Sequence, residues 1–68
     1  MAGVQRFKLG DRVQLNTPHL GLPAQAQGTV VNVFLISGSY AVRFDATGQR
    51  LTVEQRYLEP VDKALGMP

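Results

Sequence analysis

The chain has 68 residues, a formal net charge of +2, 44% hydrophobic residues, 18% charged residues and no cysteine. This length holds one small domain, and the lack of cysteine excludes a disulfide framework and a thiolate metal site. The apolar composition argues against disorder, and the mildly basic charge permits contact with nucleic acid or an acidic partner without requiring either.

The two ends of the chain frame one predicted domain at residues 7–61. Residues 1–6 are expected to form a flexible lead-in, since they lack the apolar core of a secretion signal. Residues 62–68 are expected to form a tail that frays. No apolar run approaches the ~20 residues that a membrane-spanning helix needs, so we expect a cytoplasmic protein without a membrane partner.

The first predicted strand covers residues 12–16 and follows a Gly-Asp turn. Val13 and Leu15 lie on one face and alternate with polar residues on the other. Period two with a single apolar face is typical of a half-buried strand.

A long loop at residues 17–27 separates this strand from the next. Its two prolines and a glycine exclude a regular element, because proline lacks an N–H donor and has a fixed φ. The loop is apolar for its class, and we expect Leu20 and Leu22 to cap the open end of a barrel.

The strongest predicted strand covers residues 29–36, where β-branched and aromatic residues dominate. Its apolar residues do not alternate, since Val31 and Val33 lie on one face while Val30 and Phe34 lie on the other. Either both faces are apolar and need cover, or the strand bends and changes which face is inside.

Three shorter strands follow. They are predicted at residues 40–44, 50–54 and 58–61, with turns at 37–39 and 45–48 and a single 3₁₀ turn at 55–57. The last strand contains Pro60, which an edge strand tolerates. Short strands separated by turn residues predict an all-β fold, a small five-stranded barrel with one long loop.

The order of these motifs resembles the small bacterial SH3-like barrel proteins over roughly residues 8–61. The segments that carry the resemblance are Lys8-Leu9-Gly10-Asp11-Arg12-Val13, Gly28-Thr29-Val30-Val31, Tyr40-Ala41-Val42-Arg43-Phe44 and Leu58-Glu59-Pro60-Val61. Some of these families are uncharacterised, and others are subunits of larger assemblies. The resemblance implies an SH3-like barrel and leaves the function open.

Three better-known relatives share parts of the pattern. KOW-type modules have the Gly-Asp start and a glycine before the second strand, and they bind RNA or protein, although this chain lacks the dense basic residues of ribosomal members. PsaE-like photosynthetic subunits are similar in a Val-Arg-Phe strand. The type II dihydrofolate reductases look similar at both ends, but their Val-Gln-Ile-Tyr pore segment is replaced by Arg-Leu-Thr-Val at residues 50–53. Their activity is therefore not expected here.

The sequence offers little for catalysis. His19 is the single histidine, and without cysteine it makes a transition-metal site improbable, so we expect an exposed loop histidine. Asp11 and Asp45 lie at predicted turns, where a short carboxylate accepts backbone N–H bonds. No nucleophile triad or phosphate-binding glycine loop is present in the sequence. We expect a protein that is not an enzyme and takes no cofactor, metal or small-molecule substrate.

The basic residues suggest one possible binding surface. If the outer strand faces adjoin, four arginines form a strip that meets phosphates, with Tyr57 and Phe34 as stacking partners. These arginines are Arg12, Arg43, Arg50 and Arg56. In the competing interpretation they line a solvated wall and pair with Asp45 and Glu54.

An apolar run at residues 34–36 suggests another surface. Three consecutive large apolar residues on a strand leave at least one outside, and exposed apolar clusters often mark interfaces. We therefore expect a protein-interaction module that self-associates or joins a larger assembly. The expected contacts are Phe34, Leu35 and Ile36, with Leu20 and Leu22 from the loop. The alternatives are that the loop covers this run within one subunit, or that the protein binds nucleic acid through the arginines. A third and weaker alternative is a small enzyme whose active site forms only between subunits.

Overall fold

A computed structural model describes residues 7–61, and the predictions for residues 1–6 and 62–68 lie outside that range. The predicted all-β fold is confirmed, since within residues 7–61 five antiparallel strands form one sheet and a single 3₁₀ turn joins the last two. The elements are β1 Arg12–Leu15, β2 Gln27–Phe34, β3 Ser39–Phe44, β4 Arg50–Glu54, the 3₁₀ turn Gln55–Tyr57 and β5 Leu58–Pro60.

The strands lie in the order β4-β3-β2-β1-β5. The first four strands are consecutive neighbours, and β5 returns to pair with β1, with Leu15 opposite Leu58. β4 and β5 are the two outermost strands of the sheet, and only the three residues of the 3₁₀ turn separate them along the chain. This short connection makes the return possible. The SH3-like family resemblance stays a prediction.

A bulge at Val31 explains the irregular pattern of β2. Val30 lies opposite Val42 and Asn32 lies opposite Ala41, so Val31 has no partner on β3. Residues directly opposite each other share a face, and the extra residue therefore moves the inward positions from Val30 to Val33. Of the two alternatives left open for this strand, the structure supports the one in which the strand bends and changes its inner face.

One apolar core lies inside the curved sheet. Phe7 extends it beyond the strands, because its ring contacts Tyr40 edge to face with 5.3 Å between centroids. The buried members are Phe7, Val13, Leu15, Val30, Tyr40, Val42, Phe44, Val53 and Leu58. Val33 and Leu22 pack against this cluster from its rim.

Three strands end earlier than predicted, namely β1 at Leu15, β2 at Phe34 and β5 at Pro60. β2 ends at Phe34, so Leu35 and Ile36 lie in a turn at residues 35–38 and not in the strand. Gly38 closes this turn with a φ of 71°, and its N–H donates to the carbonyl oxygen of Phe34 at 3.0 Å. β5 ends at Pro60, one residue earlier than predicted.

Candidate interaction surfaces

The β2–β3 hairpin carries an exposed apolar patch at its tip. Leu35 is 71% exposed, Ile36 is fully exposed and Phe34 is 39% exposed. Turn positions usually carry Gly, Asn, Asp, Pro or Ser, whose side chains suit water or special backbone angles. Leu9 is 64% exposed and joins Leu35 in one groove. We call Leu9, Phe34, Leu35 and Ile36 the hairpin patch.

A shallow groove of about 430 Å³, widely open to solvent, runs beside the tip of the hairpin. Its lining comprises Lys8, Leu9, Val33 and Leu35. Val33 is half-buried and packs on the core, so it gives the groove a fixed floor. The groove is therefore an aliphatic recess with one charged residue.

Backbone hydrogen bonds hold the wall of the groove that carries Leu9. The Gly10 N–H donates to the carbonyl oxygen of Val30 at 2.8 Å, and the Val30 N–H donates to that of Asp11 at 2.9 Å. The Asp11 carboxylate accepts the Lys8 N–H at 2.9 Å, as expected for a turn aspartate. The segment before β1 is thus held against β2, and the recess is preformed.

Leu9 is the contact that the sequence analysis missed. Because Leu9 precedes a Gly-Asp turn, its sequence position indicates only a segment that leads into the first strand. Its place beside Leu35 depends on backbone pairing between residues 10–11 and Val30, which are about 20 residues apart in sequence. A large apolar residue directly before an exposed turn was the one available signal.

The long loop does not cover the hairpin patch. It lies at the beginning of β2, whereas the patch lies at the end of that strand. Leu22 packs against the core, and its backbone exchanges two hydrogen bonds with the backbone of His19. Leu20 is 50% exposed and has a φ of 54°. The proposed covering of residues 34–36 by this loop is wrong, and a contact role for Leu20 and Leu22 stays a prediction.

Arg12 is paired, as the competing interpretation of the arginines expects. Its Nη1 and Nη2 donate to the two carboxylate oxygens of Asp45 at 3.0 and 2.6 Å. Nη1 also donates to the Thr29 hydroxyl, and Nη2 to the Gln27 amide oxygen. The hydrogen bonds from Arg12 hold the pKa of the Asp45 carboxyl below its ordinary value, and those same bonds raise the pKa of Arg12. The sequence predicted that the Asp45 carboxylate accepts backbone N–H bonds. In the structure its two oxygens accept hydrogen bonds from Arg12 instead.

Arg56 is paired as well and lies apart from the other arginines. Its Nε is 2.9 Å from a carboxylate oxygen of Glu54, and its guanidinium carbon is 5.1 Å from the centroid of the Tyr57 ring. It belongs to the 3₁₀ turn and not to a strand face. The four predicted arginines therefore do not form one strip.

Arg43 and Arg50 remain without an ion pair among residues 7–61. They lie directly opposite each other on β3 and β4, and Arg43 lies opposite Thr29, which in turn lies opposite Arg12. Directly opposite residues share a face of the sheet, so three of the four predicted arginines lie in one row across it. We call Arg12, Arg43 and Arg50 the arginine row.

His19 and Tyr57 form a stacked pair away from both surfaces. Their ring centroids are 4.2 Å apart with an interplanar angle of 26°, and His19 is half-buried. The expectation of an exposed histidine is therefore wrong, because Tyr57 covers one face of its ring. His19 in turn covers one face of the Tyr57 ring, so that face cannot stack on a nucleic-acid base. Among residues 7–61, no three His, Cys, Asp or Glu side chains group as a metal site would require.

Comparison of the chain with protein families, curated proteins and solved structures found no match. No helix within residues 7–61 is long and apolar enough to cross a membrane.

Proposed function

We propose that the protein is a self-associating interaction module whose contact surface is the hairpin patch. One observation carries the proposal: a fully exposed isoleucine, Ile36, lies in the same turn as Leu35, which lines a preformed aliphatic groove. Exposed apolar groups on a small protein often mark an interface.

Burial of this patch would be favourable. Removing a side chain such as Ile or Leu from water contributes about 1.5–3 kcal/mol when burial is complete. Within one subunit Ile36 makes none of that contribution and Leu35 makes only a minor part of it, because Ile36 is fully exposed and Leu35 is 71% exposed. A domain of this length has a small core, so the added burial matters more than it would in a larger protein.

A second copy of the chain is the occupant that the patch fits best. A two-fold interface requires a surface that is complementary to itself. The hairpin patch meets this requirement, since Ile36 is a projecting aliphatic side chain and the groove at Leu9 and Val33 is an aliphatic recess. In such a dimer each Ile36 enters the groove of the other copy, and the Lys8 stem covers the rim while its ammonium stays in water.

Lys8 gives this dimer a distinctive response to salt. A two-fold arrangement brings two Lys8 ammonium groups towards one interface, and no described carboxylate lines the groove. Salt screens the repulsion between exposed like charges. Self-association should therefore strengthen as salt rises, which is opposite to an interface held by ion pairs.

Sedimentation velocity over a range of protein concentrations tests the proposal. We expect the wild type to dimerise, and we expect Ile36→Asp and Phe34→Asp to remain monomeric because each buries an unpaired charge. Ala46→Asp is the matched control, since it places the same carboxylate at an exposed turn residue beyond the other end of β3. Circular dichroism verifies that each variant is folded.

Two results would overturn the proposal. One is a wild type that stays monomeric up to about 1 mM, where an association of about 4 kcal/mol would be half complete. The other is a dimer that Ile36→Asp and Ala46→Asp weaken equally.

A further inference from the structure

We infer that the Arg43–Arg50 pair on the outer face of β3 and β4 binds the phosphate groups of a nucleic-acid backbone. The two arginines are directly opposite each other and exposed, and neither pairs with a carboxylate within residues 7–61. Like charges in this position destabilise the pairing of two strands. An anion between the two guanidinium groups removes that repulsion.

The pair belongs to a shaped site. Arg43 and Arg50 line one groove of about 260 Å³ together with Val31 and Gly48. Val31 is the bulged residue of β2, and the bulge places its side chain beside the two arginines. Gly48 has a φ of 72° and no heavy atom within 4 Å of its missing Cβ, so it leaves the groove open on the side of the β3–β4 turn.

Arg12 and Asp45 complete the charge around the groove. Asp45 lines the adjoining recess with Thr29 and Arg43. Its two oxygens already accept hydrogen bonds from Arg12, so its charge is balanced. The arginine row therefore keeps two uncompensated positive charges, those of Arg43 and Arg50.

Phosphate in a polymer fits these groups better than a small free anion does. The guanidinium fork matches two phosphate oxygens, and its flat face stacks on bases. The arginines are exposed and the groove is open, so a single small ion gains little from them in water. A nucleic acid supplies many phosphates at once, and each neutralised phosphate releases counterions.

Fluorescence anisotropy with labelled oligothymidine of about 20 nucleotides, between about 20 and 200 mM salt, tests this site. Two phosphate contacts predict a slope of about −1.4 for the logarithm of affinity against that of salt concentration. Arg43→Gln and Arg50→Gln should each bring the slope closer to zero by about 0.7, and the double variant should lose binding. A duplex of the same length and inorganic phosphate serve as the other probes. The inference requires inorganic phosphate to compete only weakly with the oligothymidine for the protein.

Arg56→Gln is the matched control, because it removes the same charge from an arginine that is paired outside the groove. It should bind as the wild type does. Thermal unfolding of Arg43→Gln and Arg50→Gln gives a second readout, and each variant should melt no lower than the wild type because the opposed charges are gone.

Three outcomes would overturn the inference. They are no oligonucleotide binding at low salt, equal weakening by Arg43→Gln and Arg56→Gln, or equally tight binding of a labelled polyglutamate. The hairpin patch contains neither arginine, and sedimentation on the same samples reports self-association separately. Failure of one proposal therefore leaves the other intact.

Discussion

Arg12 and Asp45, 33 residues apart in sequence, form a two-point ion pair across the outer face of the sheet. The Arg12 guanidinium belongs to β1 and passes over Thr29 of β2 to reach Asp45, directly after β3. The pair joins three neighbouring strands at one end of the sheet. It also balances the charge of the carboxylate that lines the recess beside the Arg43–Arg50 groove.

This ion pair predicts a pH-dependent contribution to stability. Arg12 holds the pKa of Asp45 below that of an unfolded aspartate, about 3.9, so the unfolded chain binds a proton first as the pH falls. The stability from the pair is present above about pH 4 and is lost as the pH falls through the lower folded-state pKa. We expect wild type to exceed Asp45→Asn in unfolding free energy at pH 7, and the difference to vanish in acid.

Urea unfolding at a series of pH values measures this difference. The control compares the Arg12→Gln variant with the double variant that carries Arg12→Gln and Asp45→Asn. Without the Arg12 guanidinium, the Asp45→Asn change should have a much smaller pH-dependent effect on the unfolding free energy. A wild-type advantage that stays constant from neutral pH to strong acid would contradict the prediction.

The bulge at Val31 predicts unequal effects of two neighbouring valines. Val30 is 1% exposed within the core, whereas Val31 has no partner on β3 and is half-buried on the outer face. Val30→Ala leaves a cavity and should cost roughly 2 kcal/mol of unfolding free energy. Val31→Ala should cost less than about 1 kcal/mol, because it removes only part of a half-exposed side chain from contact.

Chemical denaturation of these two variants and of Val33→Ala decides between a bulged and a regular β2, because Val30 and Val33 face the core together only when an extra residue lies between them. In a regular strand with Val30 facing the core, Val31 and Val33 would share the outer face. A loss for Val33→Ala no larger than the loss for Val31→Ala would contradict the bulge.

Gly28 predicts a third effect, because β2 and β3 approach closely there. A Cβ added at Gly28 would lie 2.6 Å from the carbonyl oxygen of Arg43 and 2.7 Å from Cγ1 of Val42. The backbone cannot yield to the first contact without disturbing the strand pair. Gly28→Ala should therefore lower the unfolding free energy by about 1–3 kcal/mol.

Gly48→Asn is the control for Gly28→Ala. Gly48 has a positive φ of 72° and open space around it, and asparagine adopts that backbone region more readily than most residues. Its substitution should cost less than that of Gly28. The opposite order in a thermal or denaturant scan would contradict the close approach at Gly28.

The strands were predictable because their information is local. Val13 and Leu15 in β1, and Leu51 and Val53 in β4, alternate with polar residues, which is enough to indicate a strand and its inner face. The end of β2 was harder to predict. Leu35 and Ile36 have strong strand propensity, yet they lie in a turn that Gly38 closes. The chain reverses here because Gly38 can adopt the positive φ that the turn requires, and this requirement outweighs the strand propensity of the two residues before it.

The candidate surfaces were only partly predictable. Three large apolar residues in succession predicted that at least one of residues 34–36 is exposed, whereas all three are. The row of Arg12, Arg43 and Arg50 followed from strand alternation once the outer faces adjoined. Leu9 beside Leu35, Asp45 on Arg12 and Tyr57 against His19 each join residues that are far apart along the chain. Such pairs have no local pattern.

The sequence by itself determined that this protein is a small all-β domain, since period-two hydrophobicity and turn residues act over a few positions. The tertiary structure alone decided where β2 bulges, which arginines are paired and which apolar side chains share a groove. Those outcomes depend on cross-strand register, and register is a property of the assembled sheet: moving a strand by one residue exchanges its two faces and every contact made from them.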